Sequence, residues 1–555
     1  MKGLKKIACL LLAMLMILSM AACNPTNPTE KETEKQTEKA TEKTDETEAP
    51  TEYQFPEGAE ISIWMEGINY DPQVGISTRS EMLCWQTIEE MFGVKLNFIE
   101  PAYGTKADAL SILLASNELP DLFYTKKADF DAHGGLDSLI EQGAILDFGE
   151  YIDEYMPNYA SYLYQDGTFK SDDLQRATMT ATGKIGMISP IMKTEQGPWL
   201  GYVVRQDWLD ELGLEQPVTY DDWHEVLTAF KEQKGATGAL WLNARGSDQV
   251  GIFGAGYDIT GLGSTVANAF FQKDGKVYYS CLEEGYKNYI AMLAQWYSEG
   301  LIDPDFYTST LIRCEKDMSL IASGKVGACA SSINYFPNYA TTTGVEGMNF
   351  QPVTYPVLEE GQTTHVRIVN TIICDEGWVI SADCENVEMV CRWIDALWTQ
   401  EAIDVLNFGK EGVTYEIVNG EAQFNDMVMN NPDGLTKYQA RTKYASTAGM
   451  VYDWMRDGFT EEVLNTQNHL WLDTNDGAYV IVNKSLTSEE GDEWSSIMAD
   501  VDTAAVEWTV KFITGQKSVE DDWDEFISII KSMGIERAIE IYQAGVDRYM
   551  TLPVK

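Results

Sequence analysis

The chain is short of the residues that most often carry chemistry. Its 555 residues hold only four histidines, His133, His224, His365 and His469. None forms an H-E-x-x-H pair or a triad-like local signature, and no G-x-S-x-G occurs, which excludes the commonest zinc-peptidase and serine-hydrolase signatures. The nine cysteines include no C-x-x-C pair. A disulfide framework and a zinc site of ordinary spacing are therefore excluded, and most of Cys84, Cys281, Cys314, Cys329, Cys374, Cys384 and Cys391 are expected as buried thiols, with room for one disulfide. Basic charge is scarce too: 40 Lys and Arg face 87 Asp and Glu. Nucleic acid is excluded as a partner, since phosphate binding needs clustered cations. Beyond the first two dozen residues no run of 18 or more apolar residues appears, so nothing else there reads as a bilayer span.

What is present begins with a secretory leader. Lys2, Lys5 and Lys6 precede the apolar run Ile7–Leu18, and small residues lead into Cys23. A cysteine directly after Met20-Ala21-Ala22 resembles the bacterial lipoprotein signal. There, small residues fit the peptidase cleft and the thiolate accepts a diacylglyceryl group. Residues 1–22 are thus expected as signal peptide and Cys23 as the lipidated first residue of the mature chain. Residues 23–54 are expected as a tether. Positions 24–52 contain no Val, Ile, Leu, Phe or Trp and cannot bury a core. Their TEK repeat puts Glu30, Glu34, Glu38 and Glu42 in like-charge i,i+4 relation, and the lysines likewise, which opposes a helix. A solvated linker of this length reaches ~30 Å. Removing the leader with its three lysines takes the net charge from −47 to −50. That disfavours acidic polymers and leaves neutral solutes unopposed. Fifteen Trp and 28 Tyr suit a ligand that stacks on flat faces, although most such rings belong to cores.

The globular part opens as strand, helix, strand. EISIW (Glu60–Trp64) alternates, Arg79–Phe92 carries Met82, Trp85, Ile88 and Phe92 at helical spacing before Gly93, and VKLNFI (Val94–Ile99) alternates again. A helix near Lys106–Ser116 and a strand at Leu119–Tyr124 continue the pattern of a parallel, doubly wound sheet. Ligands on such sheets bind beyond the carboxyl ends of the strands, where Trp64, Glu66, Tyr124 and Thr125 fall. Thr219 with Asp222 starts a helix bearing Trp223, Val226, Leu227 and Phe230. The chain ends in helices.

Several segments together resemble the extracellular solute-binding proteins of ABC transporters, family 1, in their large lipoprotein subgroup. They are ELPDLFY (Glu118–Tyr124), VVRQDWLDELGLEQPVTYDDW (Val203–Trp223), EGLIDPDF (Glu299–Phe306), SGKVGACASS (Ser323–Ser332), NFGKEGVTYE (Asn407–Glu416) and the stretch Phe512–Gln543. The resemblance implies an α/β, two-lobe, type II periplasmic-binding-protein-like fold. Each lobe would be a mostly parallel sheet flanked by helices, with a helical C-terminal region. The N-terminal lobe would take 55–190 plus 356–408 and the C-terminal lobe 191–355 plus 409–555. Crossings are expected near Gly186–Ile191, Val353–Val357 and Asn407–Gly412. It implies capture of a sugar or oligosaccharide, delivery to a membrane permease, and work as a monomer, without catalysis and without a cofactor.

Candidate ligand contacts follow from side-chain chemistry and position. Trp64 and Glu66 end the first strand, where a ring could face a pyranose and a carboxylate could accept hydroxyls; the alternative is that Trp64 packs on a helix. Tyr124 lies at another strand end. Trp199 sits on a Gly-Pro loop. Arg205 contacts ligand or pairs with Asp207. Tyr257 is in a Gly-rich turn that lacks the lysine of a phosphate loop. Asn334 and Tyr335 follow an apparent strand. Trp378 lines the rim or closes the core. Glu411, between Gly409 and Gly412, touches ligand or holds a hinge, and Tyr415, Tyr452 and Trp454 are further candidates of this kind. NNPDG (Asn430–Gly434) and DTNDG (Asp473–Gly477) lack calcium-loop spacing and read as turns, so no metal is expected. Two other functions remain beside transport: a surface glycoside hydrolase, and a peptide-binding or sensor co-receptor on the same fold.

Overall fold

The computed structural model describes residues 53–116, 118–193, 200–242, 253–259, 270–308, 317–332, 335–365, 372–452, 470–481 and 483–555. Cys23 and the tether, and likewise Trp199, Cys314, Asn334 and Trp454, lie outside the described residues.

The strands and helices follow the alternation read from the sequence. β1 (Glu60–Met65), α1 (Leu83–Phe92), β2 (Lys95–Ile99), α2 (Lys106–Leu114) and β3 (Leu122–Lys126) come in turn, with β1 parallel to both β2 and β3. α3 (Gly135–Glu141) and α4 (Ser171–Thr178) complete the first pass through this lobe. The second lobe holds β4 (Leu200–Arg205), α5 (Tyr220–Lys234), β5 (Leu240–Trp241), the hairpin β6 (Phe270–Lys273) and β7 (Lys276–Tyr279), α6 (Glu284–Ser298), β8 (Ala328–Ser332) and β9 (Phe350–Pro352). The chain then supplies β10 (Glu376–Ile380), α7 (Val387–Ala396), α8 (Gln400–Phe408), the hairpin β11 (Tyr415–Val418) and β12 (Glu421–Phe424), and α9 (Lys437–Tyr444). It ends with α10 (Ser488–Ile513), α11 (Trp523–Ser532) and α12 (Ile535–Thr551).

Two four-stranded sheets result, in the orders β10-β3-β1-β2 and β5-β8-β4-β9. Pleating divides the first sheet between two cores. Ile61, Ile63, Leu122, Trp378 and Ile380 enter one cluster, and Trp64, Phe123 and Val379 enter the other. The first sheet is mostly parallel. The second departs from the expectation: β4 is antiparallel to both β8 and β9, and only β5 and β8 run parallel. β4 and β10 are the first strands after passage from the other lobe. Such a strand starts at the end where the lobes join and runs outward, opposite to strands placed by crossovers within a lobe.

The boundaries between lobes also fall later than expected. Residues 353–365 stay with the second lobe: Val353 and Tyr355 are in its core, Val357 bridges Thr219, and Thr364 bridges Asn475. Residues 409–452 stay with the first. Phe408, Tyr415 and Ala422 form a small cluster, Ser446 N–H donates to Leu406 O at 2.7 Å, and Ala448 lies in the first-lobe core. Gly409, at φ +101° and ψ −112°, ends α8 in backbone that suits only glycine, and it turns the chain into a hairpin within one lobe rather than across to the other. At the junction, residues 188–193 run between 372–378 and 450–451. Ile188 and Trp378 exchange two backbone bonds of 2.9 Å, and Val451 N–H donates to Ile191 O at 2.8 Å. The C-terminal helices tie back to the first lobe as well. Ser488 Oγ donates to Gly134 O just ahead of α3, and Lys555 N–H donates to Gln175 Oε1 on α4 at 2.7 Å.

Local chemistry explains the helix ends. Thr219 accepts from Asp222 N–H and Asp222 accepts from Thr219 N–H, closing the box at the start of α5, while Gly235 at φ +71° ends it. The helix expected from Arg79 instead starts at Leu83. Ser77 and Thr78 N–H both donate to Glu81 Oε2, at 2.6 and 3.1 Å, and pull residues 79–81 into a separate turn. Cys84, Cys281, Cys374, Cys384 and Cys391 are free thiols, and all but Cys374 are buried. Among the described residues no helix is long and apolar enough to cross a membrane, and no cluster of His, Cys, Asp and Glu is placed to hold a metal ion.

One buried acid gives a stability prediction. Asp502 on α10 is pushed by burial from 3.8 to about 7. The folded chain holds this proton more tightly than the unfolded chain. The stabilisation is therefore complete below about 3.8 and is lost as pH rises through about 7. Asp502→Asn cannot ionise. It should exceed the wild type in stability at pH 8 by at least ~1 kcal/mol, with the difference vanishing in acid. Urea unfolding at both pH values checks this.

Candidate functional site

The carboxyl ends of β1, β2 and β3 open on the side where the two lobes join. Lys127 N–H, just past β3, donates to Asp375 O at 2.7 Å, and Tyr124 O–H donates to Thr447 O at 3.0 Å. Asp375 belongs to a junction segment, and Thr447 lies three residues before another.

Arg79 organises this face. The Glu81 turn carries it beneath the ends of β1 and β2. Its Nη2 donates to Glu66 O at 2.9 Å, its Nε lies 3.8 Å from Glu100 Oε1, and Glu100 also accepts Arg79 N–H at 3.2 Å. Burial draws the guanidinium's pKa down, against the attraction of Glu100, Tyr124 and Glu376. Burial raises the Glu100 carboxyl. Arg79 Nε is buried facing Glu100 without a direct hydrogen bond, and the nearby Trp85 Nε1 donor is buried without a partner of its own. Glu376 adds an acceptor, taking a weak bond of 3.4 Å from Thr447 Oγ1. Glu66 Oε1 accepts Gly104 N–H at 3.0 Å. Beyond β3, Lys106 pairs with Asp129 at 2.7 Å, and Lys126 and Lys127 lie against Asp375, with Asp131 close to Lys127. Across this face carboxylates outnumber cations.

The residues singled out from sequence divide clearly. Glu66 is at the face and half-buried. Tyr124 is buried with its hydroxyl at the junction, and burial holds its pKa well above 10. Trp64, 2 % exposed, packs on Phe123 and shares a cluster with Leu110 of α2, so its ring offers no face to a solute. Trp378, 0 % exposed, lies among Trp85, Tyr124 and Trp393, and its Nε1 donates to Ala448 O at 2.9 Å. It closes the core. Arg205 is buried, bonds Asp207 through both Nε (2.8 Å) and Nη2 (2.5 Å), and stacks 4.2 Å from the Trp208 ring. Its partners are internal to the second lobe. Tyr257 is half-buried against Tyr220 and Tyr289, with its hydroxyl on Met292 Sδ. Glu411 is exposed in the turn before β11, away from any passage between lobes. Tyr335, just past β8, is exposed. Tyr452 donates to Asp404 at 3.0 Å and packs on Phe408. In the two oxygen-rich turns, Asn431 and Asn475 accept backbone N–H groups two residues on, as turn residues do.

Sequence reading missed Arg79, Glu100 and Glu376. A basic residue at the start of a helix-like stretch was the only available signal for the first. The two acids carried none.

A family model described as bacterial extracellular solute-binding protein matches residues 83–402. The chain belongs to that family. Among curated relatives, the solute-binding protein is 23% identical over 509 residues to the fructooligosaccharide ABC transporter substrate-binding protein FusA of Streptococcus pneumoniae, covering 85% of this chain and 87% of that one. It is 20% identical to the polygalacturonan/rhamnogalacturonan-binding protein YtcQ of Bacillus subtilis, covering 82% and 86%. Among solved structures, an "HMO binding ABC-transporter associated Solute Binding Protein" from Bifidobacterium longum infantis matches with TM-score 0.70 at 17% identity, covering 89% of this chain and 99% of that one. The solute-binding protein therefore has the fold of that family, and the site just described lies where an α/β sheet places a ligand.

Proposed function

We propose that this solute-binding protein is a lipid-anchored surface receptor, which captures a neutral oligosaccharide between its lobes and hands it unchanged to an ABC permease. The observation that carries the reading is the match to the bacterial extracellular solute-binding protein family, together with the polar side chains of Glu66, Arg79, Glu100 and Glu376 gathered at the strand ends. A sugar hydroxyl both accepts and donates. It can accept from a cation and donate to a carboxylate in the same pose. The relatives' names include binders of a neutral fructooligosaccharide and of an acidic polygalacturonan. The surplus of carboxylates on this face, within a chain of net charge −47, favours the neutral class. The protein acts as a monomer without a cofactor, and a ligand that bridges both lobes shifts it toward the closed state.

Calorimetry with neutral, acidic and amino oligosaccharides, alongside peptides, tests the ligand class. Neutral oligosaccharides should bind with little dependence on salt. Tight binding of a polygalacturonate fragment would remove the charge argument, and a peptide ligand would remove the carbohydrate one. The anchor is tested separately. Cys23→Ser should move the protein from the membrane fraction to the medium, and the wild-type N-terminal fragment should carry a diacylglyceryl mass at Cys23. A bare thiol there in the native host would end the anchoring proposal.

A further inference from the structure

Among the described residues, the large aromatic rings that stand exposed are those of Tyr70 (59 %), Tyr103 (59 %), Tyr335 (39 %) and Tyr438 (58 %). No tryptophan joins them. Tyr335 follows the carboxyl end of β8. The other three stand on the first lobe, on segments joined by hydrogen bonds. Tyr70 follows β1 and Tyr103 follows β2. These two loops meet where Gly67 N–H donates to Pro101 O at 2.9 Å and Gly104 N–H donates to Glu66 Oε1 at 3.0 Å. A Cβ on Gly67 would stand 2.9 Å from Pro101 O, which shows how closely they approach. Tyr438 lies in the first turn of α9. The next residue, Gln439, donates to Asp71 Oδ2 at 2.8 Å and to Gln73 Oε1 at 2.9 Å. The Arg441 guanidinium lies 5.2 Å from the Tyr438 ring centre.

The position of this group matters. The junction between lobes adjoins β10, and β2 is the opposite edge of the sheet. Three strand spacings separate those edges, about 14 Å. The exposed rings therefore stand on the outer side of the Arg79 site, away from the junction. Exposed apolar surface that is contiguous marks binding sites, and these three rings stand on segments joined by hydrogen bonds. Tyrosine supplies flat apolar area with only two side-chain torsions to order.

We propose that Tyr70, Tyr103 and Tyr438 form an outer platform that holds the sugar units of a neutral oligosaccharide extending beyond the Arg79 site, so that the protein selects chains of several units over disaccharides. This rests on the carbohydrate reading above. Each ring meets the C–H face of a sugar ring, and the tyrosine hydroxyls stay in water.

The test is calorimetry with linear neutral oligosaccharides of two to six units from β-fructan, β-mannan, β-xylan and α-glucan, on the full chain and on the Tyr70→Ala/Tyr103→Ala double variant. Affinity of the wild type should rise with length in the series that binds. The double variant should lose about five- to tenfold per ring for the longest member while changing little for the dimer. Tyr103→Trp should keep the gain with length. Both positions are exposed, so the unfolding midpoints should match and serve as the control for folding. Equal wild-type affinity for dimer and hexamer overturns the platform, as does an equal loss for both in the double variant. In either case the carbohydrate reading survives. Failure of every series to bind overturns the carbohydrate reading, and the platform falls with it.

Discussion

Replacing Trp378 with alanine is expected to cost about 3–5 kcal/mol of stability and to leave the affinity of the folded protein for its sugar unchanged. The ring has no exposed surface. It meets Tyr124 at 4.7 Å, Trp393 at 5.4 Å and Trp85 at 6.2 Å between centroids, and Nε1 donates to Ala448 O. Truncation leaves a cavity among four neighbours and strands a carbonyl on the segment that leads toward the third passage between lobes. Urea unfolding with calorimetry on the same preparation separates the two effects. Loss of binding at wild-type stability would return Trp378 to the ligand.

Gly377→Val, one residue earlier, should damage the junction itself. A Cβ at Gly377 would stand 2.5 Å from Ile188 O and 2.8 Å from Ser189 Cα, so the first passage would have to lift off β10. Two backbone hydrogen bonds between Ile188 and Trp378 would go with it. Overpacking and the lost bonds together amount to about 3–5 kcal/mol. Under the proposed closing of the lobes, that passage would also lose its anchor. Small-angle scattering on adding a bound oligosaccharide should show compaction in the wild type and less of it in the variant. A variant as stable and as responsive as the wild type would show that the contact tolerates a side chain.

The parts of this protein that were legible in its sequence are those decided within a few residues. Alternation in EISIW reports a strand because pleating has a period of two, and the same alternation sends Ile61 and Ile63 to one core and Trp64 to the other. Which of those faces a ligand would meet depends on α2, whose Leu110 covers Trp64, and that is not a local matter. The Arg205–Asp207 pair was legible because two residues separate its members. Arg79 was not, because Glu81 makes a turn where apolar spacing alone suggested continuous helix.

Charge and composition by themselves determined that the chain is acidic and that positions 24–52 hold no residue able to build an apolar core. The order of strands and helices was also written locally, in periodicity and caps. Only the tertiary structure decided where the lobes divide and which residues meet at the strand ends. Glu66, Arg79, Glu100, Glu376 and Thr447 come from distant parts of the chain and meet because β10 enters the first sheet from the side where the lobes join. That entry follows from passage between two cores, and no short stretch of sequence can encode it.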